Sequence, residues 1–137
     1  MAYSTDTDLQ DLIPDILDFG INAFTNEHTS AANDIERELR TKWFYKLGIS
    51  GEMDSNLLTA SQFKQASSYL VLWKYALPQL TNWVDNDRFL NMIDFYKQRY
   101  FDEMASIFAD GVEYDRDDDG SISLEEKKPV SNGRLIR

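Results

Sequence analysis

The chain of 137 residues contains no cysteine, one histidine, three prolines and six glycines. The missing cysteine excludes disulfides, thiolate metal sites and cysteine nucleophiles. A single histidine removes most zinc and acid–base constellations. The scarcity of glycine and proline, beside 42% hydrophobic and 13% aromatic residues, argues against disorder and for one compact domain. Basic side chains are also in deficit. Fourteen Lys and Arg against 24 Asp and Glu give −10, which sets aside phosphate-driven nucleic-acid binding as the main role. No basic residue precedes Arg37, so the N-terminal stretch does not read as a secretory or transit signal. The longest apolar run, Tyr69 to Trp73, is too short to span a bilayer.

Catalytic signatures are equally sparse. Gly48-Ile49-Ser50-Gly51 runs into Glu52 and is not a nucleophile elbow. No glycine-rich phosphate loop is present. His28 reads as surface, and carboxylates such as Asp15, Asp18 and Glu36 do not stand out from solvated helix faces. The expectation is a soluble acidic domain that is not an enzyme.

The charge is unevenly placed. Residues 1–109 carry 16 acidic and 9 basic side chains. Residues 110–126 carry 8 acids against Arg116 alone, and residues 127–137 carry four basic side chains and no acid. An apolar-rich body, an acidic knot and a basic tail suggest three jobs on one chain. The expected division is 1–111 as a helical bundle, 112–128 as an acidic loop and 129–137 as an extended arm.

Within the body the hydrophobic period is helical. Ser4 to Asp8 is rich in N-cap residues and precedes Leu9, Leu12 and Ile13, predicting a short helix redirected at Pro14 and closed at Gly20. Ala31, Ile35, Leu39, Trp43 and Leu47 recur every four residues, an amphipathic helix of about five turns ended by Gly48. Residues 48–58 read as a loop. Thr59 and Gln62 fit a capping box before a nearly all-apolar helix through Phe63, Ala66, Leu70, Trp73 and Leu77, stopping near Pro78. A last long helix carries Phe89, Met92, Ile93, Tyr96, Tyr100, Met104, Ile107 and Phe108, capped by Asp110-Gly111. The predicted fold is all-α: a small antiparallel bundle of three main helices plus the short N-terminal one. Trp43, Leu70, Trp73, Tyr96 and Tyr100 are expected to lie mostly buried. The aromatic stripes read as core, not as a cofactor site.

One motif is specific. Residues 115–126 read Asp-Arg-Asp-Asp-Asp-Gly-Ser-Ile-Ser-Leu-Glu-Glu, matching the twelve-residue EF-hand calcium loop at every constrained position. Calcium takes six to eight oxygens. Asp115, Asp117 and Asp119 would supply carboxylates, Ser121 its backbone carbonyl, Ser123 a direct or water-borne contact, and Glu126 both oxygens. Gly120 would allow the turn and Ile122 the apolar anchor. The surroundings depart from a sensor EF-hand: Gly111 closes the preceding helix, Pro129 cuts the following one short, and no second loop pairs with the first. The expectation is a solitary structural calcium site folding a hairpin between body and arm.

The terminal Arg134-Leu135-Ile136-Arg137 sets an apolar pair between arginines, suited to docking on a partner and ordering as it binds. A helical body with an amphipathic helix such as Ala31-Ala32-Asn33-Asp34-Ile35-Glu36-Arg37-Glu38-Leu39-Arg40-Thr41-Lys42-Trp43, the opening Tyr3-Ser4-Thr5-Asp6-Thr7-Asp8-Leu9, and a C-terminal arm together resemble the head-to-tail connector (adaptor) proteins of tailed bacteriophages. The resemblance covers most of the chain. It implies a structural virion protein that assembles with copies of itself as a dodecameric ring under the portal protein and touches the next tail or neck protein. It also implies that the arm, Pro129 to Arg137, with Arg134, Leu135, Ile136 and Arg137 as its partner-binding residues, takes the portal-facing role, and that the protein resides at the head–tail junction after assembly in the host cytoplasm. The family as a whole does not require a calcium loop. An acidic body suits a ring through which DNA slides, without specific nucleic-acid binding. The alternative is a solitary EF-hand-like, calcium-responsive interaction protein.

Overall fold

The structure is a computed structural model that describes residues 2–48, 51–81 and 88–115. It is all-α, with no strand among the described residues. The first helix, α1 (Asp6–Leu12), opens with the Thr5 backbone N–H donating to the Asp8 carboxylate at 2.8 Å. It stops before Pro14, where the ring would remove a helical donor. A 3-10 turn, Ile16–Asp18, follows, and Gly20 adopts a positive φ of 107°.

The second helix, α2 (Thr25–Lys42), has Ala31, Ala32, Ile35 and Leu39 fully buried along one stripe. Its α-helical part ends at Lys42, earlier than the four-residue spacing predicts. A 3-10 turn over Phe44–Leu47 continues to Gly48, whose left-handed φ of 71° closes the segment.

The third stretch departs further from expectation. Thr59 forms no side-chain cap, and the chain makes a 3-10 turn over Ala60–Phe63 before α3 (Lys64–Leu70) begins. The Gln62 backbone N–H bonds the Thr59 carbonyl at 3.1 Å rather than its hydroxyl, and the Gln62 side-chain amide is engaged elsewhere, as described below. A π-helical turn, Val71–Ala76, then leads into α4 (Leu77–Leu80). Pro78 therefore starts a helical turn rather than ending one, at a position where its missing N–H costs least.

The last helix, α5 (Arg88–Asp110), is closed by Gly111, whose N–H donates to the Ile107 carbonyl at 3.0 Å with φ 103°. This is the expected C-cap.

The core gathers these elements around α3 and the π turn. Phe63, Ala66, Leu70, Val71 and Leu72 are buried there, against Ile35 and Leu39 of α2 and Tyr96, Tyr100 and Met104 of α5. Contacts between α2 and the third stretch run in opposite senses: Lys74 and Tyr75 meet Asp34, while Gln79 meets Glu27. Trp43, Leu70, Tyr96 and Tyr100 are buried as expected. Trp73 is not: it is only half-buried, packed against the core edge. Its ring meets Tyr100 and Phe101 of α5, and its remaining surface lines the groove described below.

Candidate functional site

Of the predicted calcium ligands, Asp115 is described; Asp117, Asp119, Ser121, Ser123 and Glu126 lie outside the described residues, as do Arg134, Leu135, Ile136 and Arg137 of the arm. What the structure describes is the root from which the acidic loop departs. After Gly111 the chain turns back along residues 57–59. The Thr59 N–H donates to the Glu113 carbonyl at 3.2 Å and the Asp115 N–H to the Leu57 carbonyl at 2.9 Å, flanking an antiparallel bridge between Leu58 and Tyr114.

Gln62 reinforces this pairing from the side. Its Nε2 donates to the Gly111 carbonyl at 3.0 Å and its Oε1 accepts from the Glu113 N–H at 2.9 Å. One primary amide thus satisfies a donor and an acceptor that a neighbouring strand would otherwise serve. Leu58 and Tyr114 form the only β-bridge among the described residues, so Gln62 stands in for the missing ladder.

Apolar packing locks the same segment. Val112 and Tyr114 are buried. The Tyr114 ring meets Trp43 and Phe44 edge-on, each with centroids 5.7 Å apart, a geometry aromatic pairs favour. The Tyr114 hydroxyl accepts from the Asp54 N–H at 3.1 Å. Asp115, the first predicted ligand, is itself buried, at 8% exposure. Its backbone is pinned.

A second polar cluster corrects the reading of His28. Rather than lying on the surface it is buried, at 3% exposure. Its Nδ1 lies 2.6 Å from the Ser4 hydroxyl and its Nε2 3.0 Å from Asp6, and Ser4 lies 2.7 Å from the Ser67 hydroxyl. The composition is that of a serine–histidine–aspartate relay. However, Ser4 is buried and bonded on two sides, and Asp6 also accepts from the Phe24 N–H at 3.1 Å. Every member is held, and the cluster fastens residues 3–6 to α2 and α3. Tyr3 adds a 2.8 Å bond to Glu36. No spacing signal in the sequence connects Ser4, Asp6, His28 and Ser67, because the contact is made by the path of the chain.

The third feature is a groove of about 300 Å³ where α2, the π turn and α5 meet, lined by Arg37, Lys42, Trp73, Lys74 and Phe101. Its two acids are engaged. Asp34 binds Lys74 at 3.0 Å and accepts from the Tyr75 hydroxyl. Glu38 binds Lys42 at 3.5 Å and accepts from the Tyr100 hydroxyl at 2.8 Å. Burial, reinforced by these carboxylates, pushes the Tyr100 phenol above its ordinary range and that of Tyr75 up to about 12. Both phenols therefore remain donors at neutral pH. The Trp73 Nε1–H is the one buried side-chain polar atom without a partner among the described residues.

The root fixes the backbone of Asp115, where the acidic run begins, and the groove brings charged and aromatic side chains together. No group of three or more metal-ligating side chains occurs among the described residues. No helix among them is long and apolar enough to cross a membrane. No family model, no curated protein and no solved structure matches the chain.

Proposed function

We propose that the chain is a structural virion subunit, a head-to-tail connector that forms a ring under the portal and docks to it through its C-terminal arm. In this reading the helical body is an antiparallel bundle of three main helices serving as a scaffold. The acidic loop binds one calcium ion through Asp115, Asp117, Asp119, Ser121, Ser123 and Glu126. The arm, with Arg134, Leu135, Ile136 and Arg137 at its end, makes the contact with the portal protein.

The observation that carries this reading is the clamped root. A terminal segment with no partner of its own gains nothing from a fixed point of departure. A segment that must reach a neighbour does, because fixing its exit lowers the ordering cost of binding. Two backbone hydrogen bonds, the Gln62 amide and the Tyr114 ring hold residues 113–115 against the body, which supports the loop as a bracket rather than a loose end. The resemblance to phage connectors supports the identity of the partner.

The second reading, a solitary EF-hand-like calcium-binding interaction protein, is favoured by the complete loop pattern at 115–126. The two separate on the arm. Deleting residues 129–137 should leave helicity and calcium uptake unchanged while abolishing co-sedimentation with the assembled portal ring. Truncated protein that still co-sediments at wild-type levels overturns the connector reading. A partner captured only when calcium is present, with the arm dispensable, supports the alternative.

A further inference from the structure

The groove over Trp73 asks for a particular occupant. Asp34 and Glu38 are consumed by internal partners. With Lys42 and Lys74 held in those pairs, the unpaired charge of the lining is Arg37, beside the aromatic Trp73 and Phe101, and Lys97 lies next to the groove. Arg37 and Lys97 are exposed, with no carboxylate partner among the described residues. The Lys97 ammonium sits 5.7 Å from the Trp73 ring centroid, and Phe101 is 46% exposed. An occupant that brings carboxylates and some apolar surface answers both features.

The chain itself carries such a surface. Residues 1–36 hold eight acids and no basic side chain. Several of these acids are internally bonded: Asp6 to His28, Asp8 to Lys64, Glu36 to Tyr3. Asp11, Asp15 and Asp18 are exposed and have no ion pair among the described residues. They alternate with Pro14, exposed, and with Leu12 and Leu17, each only partly covered. The segment is acidic and apolar at once, the complement of the groove.

We propose that the Trp73 groove receives the Asp11–Asp18 segment of a second copy of this chain. Where the groove and the acidic segment of one copy meet two different neighbours the contact is head-to-tail, and a head-to-tail contact generates a ring or a filament. The proposal deepens the ring reading and rests on it. It also answers a difficulty of that reading, since copies at −10 repel unless opposite patches meet.

The test is sedimentation of the full chain over a range of concentration and salt. Wild-type protein should self-associate, and salt should weaken the association. Two variants probe the two faces: Arg37→Gln with Lys97→Gln, and Asp15→Asn with Asp18→Asn. None of these four side chains makes a hydrogen bond or ion pair with another described side chain, and unchanged circular dichroism and melting confirm the fold. Each variant alone should associate about tenfold or more weakly. Mixed, they should form a dimer and stop there, because only one intact groove and one intact acidic segment remain to meet. Wild-type assembly that both variants preserve at full size overturns the groove assignment and leaves the ring reading standing. So does a mixture that does not dimerise. Wild-type protein that stays monomeric at every concentration overturns the ring reading, and this proposal with it.

Discussion

Two tryptophans on the same molecule have opposite surroundings. Trp43, just past the end of α2, is buried, at 4% exposure, with Tyr114 edge-on against it and Phe44 alongside. Trp73, in the π turn, is half-buried, its N–H unpaired, its neighbours Tyr100 and Phe101 tilted about it and Lys97 above. The first cluster is closed by a segment that returns after α5. The second has no returning segment among the described residues. The difference separates an aromatic site closed by the chain's own path from one that lines an open groove.

The sharpest way to break this contrast is truncation. Trp43→Ala should cost about 3–5 kcal/mol in urea unfolding, the range for large aromatics removed from a core. Trp73→Ala, although both tryptophans read as core in the sequence, should cost less than half as much, because part of its surface is already exposed. Equal losses would mean that the groove is core and not an open face.

A smaller effect sharpens the closed side. Gln62→Ala removes a donor and an acceptor that serve residues 111 and 113, and should cost about 1–3 kcal/mol. Amide exchange at Glu113 should accelerate by more than that at mid-α5 positions. Tyr114→Phe removes only the acceptor for the Asp54 N–H, and should cost about 1 kcal/mol. Exchange at 113 unchanged by Gln62→Ala would show that the aromatic packing, not the amide, holds the root.

The helical class was legible because apolar residues at three- and four-residue spacing in α2 and α5 state the period directly, and Gly111 marks the end of α5 unambiguously. The core positions Leu39, Leu70 and Tyr100 follow from the same spacing. What was not legible depended on chain path. Thr59 and Gln62 fit a capping box by type and spacing, but Gln62 has a better use across 49 residues, at Gly111, and local pattern cannot rank a local bond against a distant one. His28 looked like surface because its neighbours in sequence are polar. Its burial comes from Ser4 and Asp6 folding over it and Ser67 of α3 completing the network. Pro78 looked like a stop because the wide turn before it leaves no composition signal. For the candidate site, the loop pattern at 115–126 was visible in the residues themselves, whereas the clamp that fixes its first residue was not, since it joins residues 57–62 to residues 111–115, far apart in the chain.

Calcium titration by calorimetry on the intact chain tests most directly the claim that a fixed root carries a working metal loop. Uptake of one ion per chain is expected. Glu126→Gln should weaken it most, because it removes charge from the ligand expected to coordinate through both oxygens. No heat of calcium binding in either the free chain or its assembly would contradict the account.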